Sequence, residues 1–313
     1  MEEAIRARGV TRTYRSKGRE TVALAGIDLT VPAGATYGLI GRNGAGKTTF
    51  IRIASTQLLP TSGSVAVLGH DAVADPRSVR SRIAVIPQES RPLYFLNVYE
   101  LVYLYLKLRG MPGTEARRRT EAVLVELSLD SRRKTLVSHL SGGMRRRAMV
   151  AMVLASDAEV LFLDEPTTGL DPVARREVWS AIERAIRDRR TVLLTTHYLD
   201  EAEALSSRLA LIEGGRVLLE GTPAEIRSRI PRPFRVSVQG RVTREELLPY
   251  GEVAEVRGGH LVFAREEEAR ELTRLALAKG FPVSMAPASL EDVFLQLVGR
   301  PIGEDDPEEE GTA

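Results

Sequence analysis

The sequence predicts an α/β fold followed by a smaller α+β domain, and three observations carry that expectation. Four short, mostly apolar runs at 36–40, 83–86, 160–163 and 192–195 each close on a polar or glycine-containing turn. Runs of that length suit strands buried on both faces of a parallel sheet. Helical patterns at 47–54, 145–155 and 172–187 lie between those runs, and alternating strands and helices indicate an α/β core. Past the stretch Ile230-Pro231-Arg232-Pro233 the pattern restarts as strand, helix, strand, strand, helix, strand and a closing helix, an order that suits a ferredoxin-like domain.

Taken in order, the first 35 residues hold short β segments around Ile5, Val22 and 27–31, with a polar turn at Ser16, Lys17 and Gly18. Residues 90–138 break the alternation: 98–109 and 114–127 read as helices with no strand between them, so a helical insertion is expected there. Residues 209–220 read as a hairpin turning at Gly214 and Gly215, a pair that accepts positive φ. Beyond the linker come strands at 234–238, 253–257, 261–264 and 283–286, and helices at 244–248, 266–279 and 290–298. The expected domains are therefore 1–230 and 231–299. A tail at 300–313 sets Arg300 against Glu304, Asp305, Asp306, Glu308, Glu309 and Glu310 and is expected to be disordered.

Composition excludes several classes. Without cysteine there is no disulfide scaffold, thiolate metal site or cysteine nucleophile, and the four histidines are scattered at 70, 139, 197 and 260. The net charge of +2 divides into −5 on residues 300–313 and +7 on the rest, which is short of a nucleic-acid footprint, so no nucleic-acid partner is expected. The N-terminal Met1-Glu2-Glu3 has no apolar run behind it, and the most apolar candidate span, 93–106, is interrupted by Asn97 and Glu100. The expectation is a soluble chain whose membrane role, if any, comes through a partner.

The chemistry is concentrated in a few motifs. Gly41, Arg42, Asn43, Gly44, Ala45, Gly46, Lys47 and Thr48 fit the phosphate-loop pattern, after a strand and at the start of a helix. Glycines let backbone N–H groups curl around phosphate oxygens, the helix N-terminus favours an anion, Lys47 reaches the β- and γ-phosphates, and the Thr48 hydroxyl suits Mg²⁺. Asp164 and Glu165 end the strand-like run at 160–163, one placed to hold Mg²⁺ and the other to polarise an attacking water. Gln88 and His197 come after two other predicted strands, and ligands of open α/β sheets gather at such carboxyl ends. Leu140, Ser141, Gly142, Gly143 and Met144 precede the helix at 145–155, with Ser141 suited to cap it.

Those last residues resemble the LSGGQ signature of ATP-binding-cassette (ABC) ATPases, and the other motifs fall in that family's order over roughly residues 4–230. The resemblance identifies Tyr14 with the adenine-stacking aromatic, 41–48 with Walker A, Gln88 with the Q-loop, 160–165 with Walker B, Gly169-Leu170-Asp171 with the D-loop and His197 with the switch histidine. It implies a P-loop NTPase core: a mixed sheet with an N-terminal antiparallel β subdomain and a helical subdomain over about 90–158. It further implies that ATP is held by Tyr14, 41–48 and Thr49, with Ser141, Gly142, Gly143 and Asp171 contributed by a second cassette packed head to tail. Thr48, Gln88 and Asp164 would surround Mg²⁺, and Glu165, Gln88 and His197 would serve hydrolysis.

The sequence departs from the family's pattern at Arg42, where a proline is common, and at Met144, in place of the usual final glutamine of the signature. Met144 with Arg145, Arg146 and Arg147 resembles the daunorubicin-resistance type of exporter, and the segment 288–299 resembles the closing helix of that branch's extra C-terminal domain. The implied function is the ATP-hydrolysing subunit of an exporter of drug-like or lipid-like substrates. A homodimer is expected to work with a separately encoded permease at the cytoplasmic face of the cell membrane. Tyr94, Phe95, Tyr99, Tyr103 and Tyr105 fit either a permease-facing surface or the subdomain core. The rival readings are a soluble ABC protein acting on ribosomes or DNA, and an importer ATPase with a regulatory C-terminal domain.

Overall fold

The computed structural model describes residues 2–16, 18–88, 93–240, 242–256 and 259–298. The acidic tail, Lys17, Pro92 and Gly299 lie outside the described residues.

β1 (Glu3–Ser16) and β2 (Arg19–Pro32) pair antiparallel, from Glu3 opposite Pro32 to Ser16 opposite Arg19. They are far longer than the short segments read from the sequence. Register shifts at Ala7/Val10, Val10/Thr11 and Arg12/Thr13 break the alternation on which a strand reading depends. β3 (Thr36–Ile40) is buried throughout and runs towards α1 (Lys47–Ala54). β4 (Ser62–Val67) returns to pair with β1, and β5 (His70–Asp71) completes a sheet ordered β2-β1-β4-β5. α2 (Pro76–Arg82), capped by the Asp75 carboxylate, leads into β6 (Ile83–Ile86).

The helical insertion comprises α3 (Val98–Leu108), α4 (Gly113–Glu126) and α5 (Gly142–Leu154). A reciprocal Asn97–Glu100 capping box starts α3. The chain then re-enters the core as β7 (Val160–Asp164), α6 (Pro172–Arg187), β8 (Thr191–Thr196), α7 (Leu199–Leu205), β9 (Arg208–Glu213) and β10 (Arg216–Gly221). The central sheet has the order β10-β9-β3-β8-β7-β6, and β9, β3, β8, β7 and β6 run parallel. Successive side chains of β7 serve opposite faces, as the two-residue period requires. Leu161 and Leu163 join the core under the helical insertion, while Val160 and Phe162 join the core shared with the N-terminal sheet. All four parallel strands expected from the sequence are present. Their carboxyl ends carry the loop at 41–48, Gln88, Asp164–Glu165 and His197 to one edge.

The chain divides into two compact units, Met1–Glu220 and Gly221–Ala313, a division that falls before the proline-bearing linker. The second unit opens with α8 (Pro223–Ser228), which packs against the last helix and so belongs to this unit rather than to the first. It continues through β11 (Phe234–Gln239), α9 (Arg244–Leu247), β12 (Glu252–Val256), β13 (Gly259–Ala264), α10 (Glu266–Ala278), β14 (Val283–Pro287) and α11 (Leu290–Val298). The sheet is antiparallel in the order β12-β13-β11-β14, with the β11–β13 pair at its centre as a ferredoxin-like arrangement requires.

Candidate functional site

The loop between β3 and α1 needs glycine for steric reasons. Gly46 sits at φ +109, and a Cβ there would lie 2.5 Å from the Ala23 carbonyl oxygen. A Cβ on Gly41 would lie 2.2 Å from the Ile212 carbonyl oxygen. No side chain fits either place without moving backbone. The loop surrounds a cleft of about 260 Å³ lined by Asn43, Gly44, Ala45, Gly46, Lys47, Thr48, Thr49, Gln88 and Glu165. The α1 N-terminus points its free N–H groups at this space.

Lys47 is buried and donates from Nζ to the carbonyls of Gly41 at 2.6 Å and Arg42 at 2.9 Å, leaving one of its three donor protons for a ligand. Burial pulls its pKa down, while the charges of Glu165, Asp164 and Glu213 pull it back up.

Three oxygens from three strand ends meet beside it. The Thr48 hydroxyl lies 3.2 Å from Gln88 Oε1 and 3.1 Å from Asp164 Oδ1. Asp164 also accepts from the Thr195 hydroxyl at 2.5 Å. Burial pushes the Asp164 carboxyl up, against the hydroxyl donors that favour its charged form. An aspartate raised in the folded state is stabilising when protonated and destabilising when ionised. That protonation-linked stability is fully present below the unfolded-state pKa and is lost as pH rises through the folded-state value. Asp164→Asn is therefore expected to raise the melting temperature of the nucleotide-free protein near pH 7, by about 2–4 °C for each kcal/mol relieved. The gain should shrink as pH falls into the carboxylate range. Melting curves across pH check this, and an Asn variant no more stable than the parent at pH 7 would contradict it.

Glu165 shows the opposite sign. Burial alone would raise its carboxyl, but His197, Lys47 and Thr168 outweigh it and hold Glu165 below its ordinary value. Thr168 donates to Oε2 at 3.1 Å, Gln88 Nε2 lies 3.4 Å from the same oxygen, and His197 Nδ1 lies 3.4 Å from Oε1. The His197 contact is close enough for an ion pair, yet Nδ1 lacks hydrogen-bond alignment. Glu165 itself sits at φ +50, a left-handed conformation that costs a side-chain-bearing residue on the order of 1–3 kcal/mol. Its N–H donates to the Thr195 carbonyl and Thr195 Oγ1, each at 3.1 Å. A charged, oriented carboxylate facing a phosphate-sized cleft can activate water.

The remaining sequence-predicted residues lie outside the cleft lining. Ser141 caps α5, its hydroxyl accepting from the Met144 N–H at 3.3 Å, with Gly142 and Gly143 in the first turn. Asp171 caps α6 by accepting from the N–H groups of Val173 and Ala174, each at 3.0 Å. Gly143 lies close to Leu170 and the Gly169 carbonyl, so the two caps adjoin. Tyr14 stands on β1 opposite Thr21, with the Arg12 guanidinium 4.8 Å from its ring centre. Sequence reasoning missed Thr195 and Thr168, which hold Asp164 and Glu165, and Arg146, which donates to the backbone carbonyls of both.

Residues 24–168 match the family model described as ABC transporter. The chain is 37% identical over 321 residues to the daunorubicin/doxorubicin resistance ATP-binding protein of Streptomyces peucetius, covering 98% of this chain and 96% of that protein. The chain belongs to the ABC transporter family. It is also 36% identical to the Nod factor export ATP-binding protein I of Cupriavidus metallidurans, over 96% of this chain and 99% of that one. Among solved structures, an ATP-binding subunit of an ABC transporter superposes with a TM-score of 0.66 at 26% identity, covering 72% of this chain and 92% of its own. A dimeric ATP-binding cassette in a post-hydrolysis state with ADP and Pi gives 0.65 at 25% identity, covering 70% and 98%. This ABC protein is an ATPase with the P-loop ABC fold, and among its described residues no helix is long and apolar enough to cross a membrane.

Proposed function

We propose that the chain is the ATP-binding and hydrolysing subunit of an ABC exporter, driving a drug-like or lipid-like substrate through a separate membrane permease. The observation that carries this reading is similarity along the whole chain to ATP-binding proteins of drug resistance and of Nod factor export, the second unit included. That coverage disfavours the ribosome- or DNA-acting alternative and the importer alternative.

In this reading ATP lies on 41–49 with its γ-phosphate near Lys47, and Tyr14 stacks on the base. Glu165 is the general base, with Gln88 and His197 ordering the water and the phosphate. Thr48, Gln88 and Asp164 fit Mg²⁺, since they converge as hard oxygen donors with one carboxylate. The bound ion would neutralise phosphate charge. Two copies close head to tail so that Ser141, Gly142, Gly143 and Asp171 of one face the nucleotide of the other; free N–H groups at the α5 N-terminus suit the γ-phosphate.

The aromatic segment divides in two. Tyr99, Tyr103 and Tyr105 pack against the subdomain core, whereas Leu93, Tyr94 and Phe95 are exposed, Phe95 at 74%. We assign Leu93, Tyr94 and Phe95 to the permease contact and propose a peripheral position on the cytoplasmic face of the membrane. A tagged chain isolated from its native membranes is expected to bring down a polytopic membrane protein, and Phe95→Asp to release that partner while leaving ATP affinity unchanged. Recovery with ribosomes, or a Phe95→Asp variant that still holds the permease, would count against the reading.

A further inference from the structure

Arg145, Arg146 and Arg147 stand in succession near the start of α5, just after the Ser141 cap. Cations at a helix N-terminus oppose the helix dipole, so the sequence breaks a local rule there. Two of the three are accounted for close by. Arg145 donates to the Leu140 carbonyl at 3.2 Å and lies 5.3 Å from the centre of the Tyr94 ring. Arg147 donates to the Leu127 carbonyl at 3.1 Å and to Glu177 Oε2 at 2.7 Å.

Arg146 points the other way. Its Nε donates to the Pro166 carbonyl at 3.2 Å. One terminal nitrogen donates to the carbonyls of Pro87 at 2.8 Å and Gln88 at 3.4 Å. The other donates to the carbonyls of Asp164 at 2.5 Å and Glu165 at 2.6 Å. A single guanidinium thus holds the two loops that present Gln88 and Glu165, from a helix that begins directly after Ser141.

In an extended strand successive carbonyls point to opposite sides. Those of Asp164 and Glu165 converge on one nitrogen, so the chain must turn between them, and it turns at the left-handed Glu165. Such a conformation persists only where its surroundings hold it. The planar five-donor fork of arginine can serve converging carbonyls from two loops at once, and an ammonium cannot copy that geometry. The guanidinium is half-buried beside Asp164, Glu165 and Glu201, so a partly desolvated cation is kept where an apolar side chain would pack at less cost.

We propose that Arg146 is a positioning residue for hydrolysis: it fixes the backbone turns that aim Glu165 and Gln88, and it ties them to the helix that Ser141 caps. The inference rests on the reading of Glu165 as the base. Its loss lowers turnover of bound ATP and leaves ATP affinity alone, because the carbonyls it holds belong to Pro87, Gln88, Asp164, Glu165 and Pro166, outside the phosphate loop.

The test compares Arg146→Met, Arg146→Ala, Arg146→Lys and Glu165→Gln in the full chain, measuring ATP affinity, kcat and melting temperature. Arg146→Met is expected to keep the parent's ATP affinity while kcat falls about 10- to 100-fold, the scale of a sub-ångström to ångström misplacement. Arg146→Lys should recover little of the loss, whereas millimolar guanidinium added to Arg146→Ala should restore part of it. Parental turnover in Arg146→Met, or a loss of turnover matched by equal losses of affinity and stability, would overturn the proposal. Should Arg146→Met fail to fold, a folded Arg146→Lys with parental turnover would overturn it as well. Glu165→Gln separates the two failures: if it still hydrolyses ATP, the base assignment falls and this inference with it. If it is inactive while the Arg146 variants are fully active, only the inference falls.

Discussion

Lys47→Ala is expected to weaken ATP binding by about 10- to 100-fold, the worth of a charge-assisted hydrogen bond to phosphate in a partly desolvated site. The lysine is buried and already braced by the Gly41 and Arg42 carbonyls, so its ammonium is preorganised for a phosphate. The substitution also deprives Asp164 and Glu165 of a nearby cation, which adds electrostatic repulsion against an incoming polyphosphate. Titration calorimetry with ATP measures the change. An alanine variant that binds ATP as tightly as the parent would place the nucleotide elsewhere than the cleft beside α1.

Glu165→Gln is expected to leave ATP binding intact and to reduce kcat by about 10²- to 10⁴-fold, the range for removing a general base. The amide keeps the shape of the carboxylate and can still meet Thr168 and Gln88, so the fold at this strained position should hold. Removing a carboxylate from a phosphate site also relieves repulsion, so affinity should stay level or rise. Single-turnover hydrolysis with bound ATP gives the rate directly. Turnover within a few-fold of the parent would show that another group activates the water, and the Glu165–His197 pair would then need a different account.

Much of this site is legible in the sequence because its parts obey local rules. A phosphate loop demands glycines at crowded or left-handed positions, and Gly41 and Gly46 prove to be such positions. The parallel strands show as short apolar runs because both faces are buried, which makes their carboxyl ends easy to find. The bulges of β1 and β2 hide their length, and β4, β5, α2 and α7 escape a sequence reading because their apolar positions are few and weakly periodic. Thr195, Thr168 and Arg146 leave no spacing signal, since each acts through one hydroxyl or on backbone carbonyls distant in sequence. The only clue is a basic run at the wrong end of a helix. The roles expected for Ser141 and Asp171 are those of a second chain's residues, and within one chain each acts as a helix cap.

In the proposed cycle ATP is closed between two copies of this cassette. The most direct measurement is the mass of Glu165→Gln by light scattering on a sizing column, with and without Mg-ATP, alone and combined with Ser141→Arg. A monomer is expected without nucleotide and a dimer with ATP. Adding Ser141→Arg should return the dimer to a monomer that still binds ATP, because a bulky cation on the α5 cap blocks only the contact made in trans. A Glu165→Gln chain that binds ATP tightly yet stays monomeric, or a dimer indifferent to Ser141→Arg, would show that ATP is not closed between two copies through the α5 cap.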